Sequence, residues 1–173
     1  MDRRSFLAHA GLAAAGTLVA RSAQAEPVRR LAFVNTHTGE RLAATYFENG
    51  HLEPEALQDI YRVLRDHRSG EIKPIDRRLL DLLDTLRLNL DSHEPYHVIS
   101  GYRSPSTNAL LHANSDGVAR HSLHIDGQAI DVRIPGVQLA HLRGAALELG
   151  RGGVGYYPAS DFVHVDTGRI RRW

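Results

Sequence analysis

Two short stretches place side chains able to hold a metal ion inside otherwise apolar patterns: Ser122-Leu123-His124-Ile125-Asp126-Gly127-Gln128-Ala129-Ile130-Asp131 and Asp161-Phe162-Val163-His164-Val165-Asp166. If a strand begins near Ala129, period-two alternation puts Ile130, Val132 and Ile134 in one apolar row and aims Asp131 and Arg133 the other way. Asp126-Gly127 reads as a turn that folds His124 back towards Asp131. In the second stretch Val163 and Val165 form the apolar row, with Phe162, His164 and Asp166 opposite. Pairing of the two strands would make Asp131 and His164 cross-strand neighbours about 5 Å apart at Cβ. Two imidazole nitrogens and one carboxylate oxygen then converge, a three-ligand set that leaves a fourth position open, as catalytic zinc sites do. Nitrogen and oxygen ligation without thiolate suits zinc first, while iron, cobalt and manganese stay open on ligand type. A carboxylate in an apolar strand needs such a partner, because burying it alone is costly.

Asp161 stands three residues before His164, at the strand edge, where it can act as general base on a metal-activated water and pass the proton to a leaving amine. Asp166 is placed to buttress His164, or is simply a polar residue at the strand end. His121 and Ser122 flank His124 and are candidates for touching substrate or orienting the ligands; a fourth-ligand role for His121 would fill the position hydrolysis needs. The run Gly152-Gly153-Val154-Gly155-Tyr156-Tyr157 ends in an aromatic pair that can line the cleft: Tyr156, or Tyr157, is a candidate for touching substrate, with packing expected of at least one of them.

The elements that must hold these groups are legible as patterns. Leu31 to Phe47 has the alternation of a β-hairpin turning at Thr38-Gly39, expected as an appendage or a wall of the cleft. A helix opens at Glu53-Pro54-Glu55, carries Leu57, Ile60, Tyr61 and Leu64 on one face and closes by Ser69-Gly70. A second runs from about Asp76 to Leu90 with a broad leucine face. Tyr96 to Ser100 reads as a strand ending in Gly101-Tyr102-Arg103-Ser104-Pro105, which sets Arg103 at the end of the sheet; residue type alone leaves it between a surface cation and a substrate clamp. A short helix follows through His112, then a loop, and a last helix from Val137 to Leu149 stopped by Gly150. The tail Arg169 to Trp173 is expected as an edge strand or a contact to an anionic surface.

The pattern Ser122-x-His124-x-x-Gly127-x-Ala129-x-Asp131 with Asp161-x-x-His164 resembles the zinc peptidases of the D-alanyl-D-alanine carboxypeptidase and dipeptidase family. Ser100-Gly101-Tyr102-Arg103-Ser104 and the glycine-tyrosine run at 152–156 look like its periplasmic murein endopeptidase branch, the YcbK/MepK type. The resemblance covers about Leu31 to Trp173. It implies zinc ligands His124, Asp131 and His164, a catalytic base at Asp161, and Arg103 stabilising substrate or the developing oxyanion. Asp161 is one methylene shorter than the Glu found in many relatives, so a Glu-type geometry does not carry over. The fold it implies also serves non-catalytic proteins, the Hedgehog signalling domains, so fold alone does not establish turnover.

Residues 1–25 are set apart from the fold: Arg3-Arg4, a mostly small and apolar run from Leu7 to Ala20, and Ala23-Gln24-Ala25 read as a twin-arginine export signal, leaving 26–173 as one peptidase domain. The apolar run is shorter than the ~20 residues of a spanning helix, so no stable membrane insertion is expected after cleavage. The whole chain has 21 basic and 20 acidic residues; removing Arg3, Arg4, Arg21 and Asp2 leaves 18 against 19, which gives no electrostatic footprint for nucleic acid. The absence of cysteine excludes disulfides and thiolate ligands.

These readings converge on a single-domain α+β fold, a small antiparallel sheet flanked by helices with a metal on its exposed face. The resemblance and the export signal, rather than the ligand set, imply the activity: a periplasmic Zn²⁺-dependent murein endopeptidase acting on peptidoglycan stem peptides. A D,D-carboxypeptidase is the enzymatic alternative, and a zinc-containing wall-binding module without turnover is the other.

Overall fold

The computed structural model describes residues 27–114 and 118–173. The expected export signal at 1–25 lies outside the described residues. Among them are eight strands, β1 (Arg29–Asn35), β2 (Arg41–Glu48), β3 (His51–Leu52), β4 (Tyr96–Ser100), β5 (Ala129–Arg133), β6 (Gly153–Tyr157), β7 (Phe162–Asp166) and β8 (Arg171–Arg172). Four α-helices accompany them, α1 (Pro54–Val63), α2 (Arg77–Asn89), α3 (Pro105–Asn114) and α4 (Leu139–Leu149).

All eight strands join in one sheet in the order β3-β2-β1-β4-β5-β7-β6-β8. The fold is α+β, as the patterns imply, but the sheet is wider than the small antiparallel one expected and it is mixed. β1 runs parallel to β4, and β6 parallel to β8. The β1–β2 hairpin is therefore no appendage: its inward residues Leu31 and Phe33 are almost fully buried, and β4 lies on its other side. A parallel neighbour requires a crossover, and α1 and α2 supply it.

One face of the sheet is apolar and helix-covered. Phe33, Val98, Ile130, Val132, Val163 and Val165 meet the leucines of α2 and Leu142 and Ala146 of α4 in one core. Polar ties fix this layer: Tyr96 Oη donates to the Leu83 carbonyl on α2, and Asn35 Nδ2 donates to the Val63 carbonyl on α1. Asp76 caps α2 by accepting from the Arg78 amide at 2.8 Å. Gly150 ends α4 in the left-handed conformation, φ 58°. α1 stops at Val63, before the Ser69-Gly70 end expected, because the buried Asp66 carboxylate accepts the Arg68 and Ser69 amides and turns the chain early. The opposite face of the central strands carries the candidate site.

Candidate metal centre

β5 and β7 pair antiparallel with Asp131 directly opposite His164, so one cross-strand pair supplies two of the anticipated ligands on the face away from the core. The third comes from the loop before β5. Ser122 Oγ accepts the His124 amide, and Gly127 adopts φ +66°, a conformation that strains any residue with a Cβ, so that the loop bends back over the strand. The His124 carbonyl in turn accepts the Arg103 amide, joining this loop to the turn after β4.

His124, Asp131 and His164 come together: His164 Nδ1 is 2.8 Å and His124 Nε2 3.3 Å from Asp131 Oδ1, and the two nitrogens are 3.2 Å apart. All three residues are buried. The outer edge of each ring is already engaged. His124 Nδ1 lies 2.8 Å from the Gly101 carbonyl, and His164 Nε2 lies 3.1 Å from Asp166 Oδ2. Both partners only accept, so each ring spends its proton outwards and its remaining lone pair faces inwards. Three lone-pair donors then point at one another across about 3 Å, an arrangement that repels itself unless a cation lies among them. The residues present thus fit a metal ion, and the group could hold one.

Where no cation lies among them, the carboxylate and the rings compensate one another, with a proton standing in for the ion. Burial alone would raise the Asp131 carboxyl, but the two histidines hold it well below the usual carboxylate range. Burial would lower His164, yet hydrogen bonds to Asp131 and Asp166 push it above its ordinary value. Asp166 is completely buried; against the burial effect, bonds from His164 and from the Gly153 and Gly168 amides bring it to about 2. Arg171 adds an ion pair to it at 2.7 Å.

Arg103 is also in place. Gly101 lets the turn pass flush against Leu64, whose carbonyl accepts the Tyr102 amide and would collide with any Cβ at Gly101. Asp66 accepts the Ser104 amide at 2.8 Å and fixes the far side. The guanidinium, nearly buried, reaches to 3.8 Å from Asp131 Oδ2 and makes only long contacts to Ser100 Oγ and Asn108 Oδ1, with Nε unpartnered. Burial pushes its pKa down, partly offset by Asp131.

These groups open on a cleft of about 460 Å³. His121 and Ser122 line it, as anticipated, together with Tyr157, Phe162 and Trp173. Tyr156 is not brought to it. It shares a face with Val163, its cross-strand partner, and the Arg143 guanidinium of α4 lies over its ring at 5.1 Å. The register that pairs Gly155 with His164 turns Tyr157 to the cleft instead. Trp173 was missed, and its signal is indirect: Gly155 leaves room for the indole, which would otherwise meet a Cβ at 2.7 Å. Trp173 Nε1 donates to Tyr157 Oη at 2.7 Å, and Tyr157 stacks on Phe162 at 4.6 Å. Asp161 is exposed, has φ 54°, and forms an ion pair with Arg133 at 3.1 Å rather than lining the cleft.

Among the described residues no helix is long and apolar enough to cross a membrane. A family model described as "Peptidoglycan L,D-endopeptidase MepK" matches residues 23–173. The protein named peptidoglycan L,D-endopeptidase MepK in Escherichia coli strain K12 is 43% identical, over 99% of this chain and 97% of its own. The one named probable peptidoglycan L,D-endopeptidase MepK in Haemophilus influenzae is 38% identical, over 99% of this chain and 95% of its own.

Proposed function

We propose, because this chain belongs to the peptidase M15 family described as peptidoglycan L,D-endopeptidase MepK, that it is a zinc peptidase hydrolysing the L,D cross-links between peptidoglycan stem peptides. The observation that carries the reading is the inward convergence of His124 Nε2, Asp131 Oδ1 and His164 Nδ1 with every outer edge pinned. A bound zinc ion supplies Lewis acidity and a water of lowered pKa. His124, Asp131 and His164 would hold it. Arg103 lies beside them with hydrogen-bonding capacity to spare, and its cation holds the scissile carbonyl oxygen as negative charge develops there. Asp161 is the base, taking the proton at its carboxylate once it swings from Arg133. Tyr157, Phe162 and Trp173 wall the cleft and keep bulk water from the reacting peptide. Residues 1–25 act as a twin-arginine signal that delivers the domain 26–173 to the periplasm.

The test is incubation of purified zinc-loaded protein with sacculi, followed by mass spectrometry of the muropeptides. Conversion of cross-linked dimers to monomers supports the reading. Release of free D-alanine would make it a D,D-carboxypeptidase, and wall binding without any new product would make it a binding module.

A further inference from the structure

The open face of the sheet bears a second polar row, one side-chain step beyond the metal ligands. The strand register fixes it: Arg133 on β5 pairs with His97 on β4, His97 with Val34 on β1, and Val34 with Arg41 on β2. Arg133 follows Asp131 by two residues, so the rows lie about 7 Å apart along the strand and share a face. Neighbouring strands are about 4.8 Å apart, so Arg133 stands directly beside His97, whereas Arg41 lies two strand spacings from it, about 9.6 Å, with Val34 between them. His97 senses both: burial chiefly, then Arg133 and Arg41, lower its pKa, with Glu94 opposing. The row already has one carboxylate in hand, since Arg133 Nη1 binds Asp161 at 3.1 Å. That carboxylate is 65% exposed and so is readily exchanged.

We infer that Arg133, His97 and Arg41 form a carboxylate-recognising subsite, which selects acidic peptides by binding a free carboxylate next to the scissile bond. This rests on the peptidase reading and deepens it. A planar guanidinium fork suits a carboxylate, and Asp161 occupies Arg133 as such a ligand would. An incoming carboxylate on Arg133 displaces Asp161, so recognition of an acidic substrate also releases the proposed base.

The experiment compares two cross-linked stem-peptide dimers, identical except that free carboxyls in one are carboxamides in the other, on zinc-loaded wild type, Arg41→Gln and Arg133→Gln. Folding of the variants is checked by circular dichroism. The wild type should prefer the free acid by roughly 10- to 100-fold in kcat/KM, and both variants should bring that ratio towards one. Arg133→Gln also frees Asp161 whichever dimer is bound, so any change in the base acts on both substrates alike and the ratio reads recognition alone. Arg41 contacts neither Asp161 nor the ligands, and its loss should appear in KM. Equal cleavage of both dimers by the wild type, or an unchanged ratio in the variants, overturns the subsite. Calorimetric binding of the same peptides reads the row even if no bond is cut: an inert protein that prefers the acid refutes the peptidase and supports the row, and one that binds both alike refutes both.

Discussion

Asp166 holds the Nε2 edge of His164 at 3.1 Å from a position with no solvent exposure, while two backbone amides and Arg171 hold Asp166. The imidazole is thereby committed to presenting Nδ1 to Asp131 and His124. Asp166→Asn keeps the volume but loses the charge that fixes this tautomer. Zinc affinity should fall by about 10- to 100-fold, measured by competition with a chromophoric chelator. Unchanged affinity would mean that His164 is oriented by its strand alone.

Asp161→Ala separates metal holding from turnover. The side chain is exposed and contacts only Arg133 among the polar partners found, so fold and zinc stoichiometry should be those of the wild type. Turnover should fall by about 10²- to 10⁴-fold if the carboxylate is the general base. Steady-state kinetics beside elemental analysis checks it, and full activity in the variant would remove Asp161 from the mechanism.

Gly101→Ala tests the turn that carries Arg103. The new methyl would meet the Leu64 carbonyl, a backbone atom with no room to retreat, so a loss of about 1–3 kcal/mol is expected in denaturant unfolding. Because the same peptide accepts His124 Nδ1, zinc affinity should weaken alongside stability.

Asp66 gives a pH signature away from the metal. Burial would raise its carboxyl, but bonds from Thr107, Ser104 and Arg68 hold it far below the usual range. A depressed folded-state pKa stabilises fully above the unfolded value, about 3.9, and that stability fades as pH falls through it towards the folded value. Asp66→Asn should therefore cost about 1.5–3 kcal/mol at pH 7 and progressively less below pH 4. Denaturant titrations of chelator-treated protein at both pH values isolate this from metal loss.

Much of the site was legible because period-two alternation is rigid. Once Ile130 and Val132 face the core, Asp131 cannot, and the same holds for His164 between Val163 and Val165. The helices of the apolar layer were legible for a similar reason, in the leucine face of α2 and the glycine stop of α4. Cross-strand register between distant segments is not written in either strand. Choosing Tyr157 over Tyr156 depends on which residue meets His164, and the place of Trp173 depends on a two-residue edge strand. The parallel β1–β4 pairing escaped for the same reason, since hairpin alternation names a partner on one side only.

α1, α2 and α4 pack on a single side of the strands, and the ligands occupy the other. The consequence, among the described residues, is a walled groove on an open face rather than a tunnel. A strand of a larger network can be laid along such a groove without being threaded or freed at an end, so a peptide tethered to a polymer on both sides can still be brought to the three ligands.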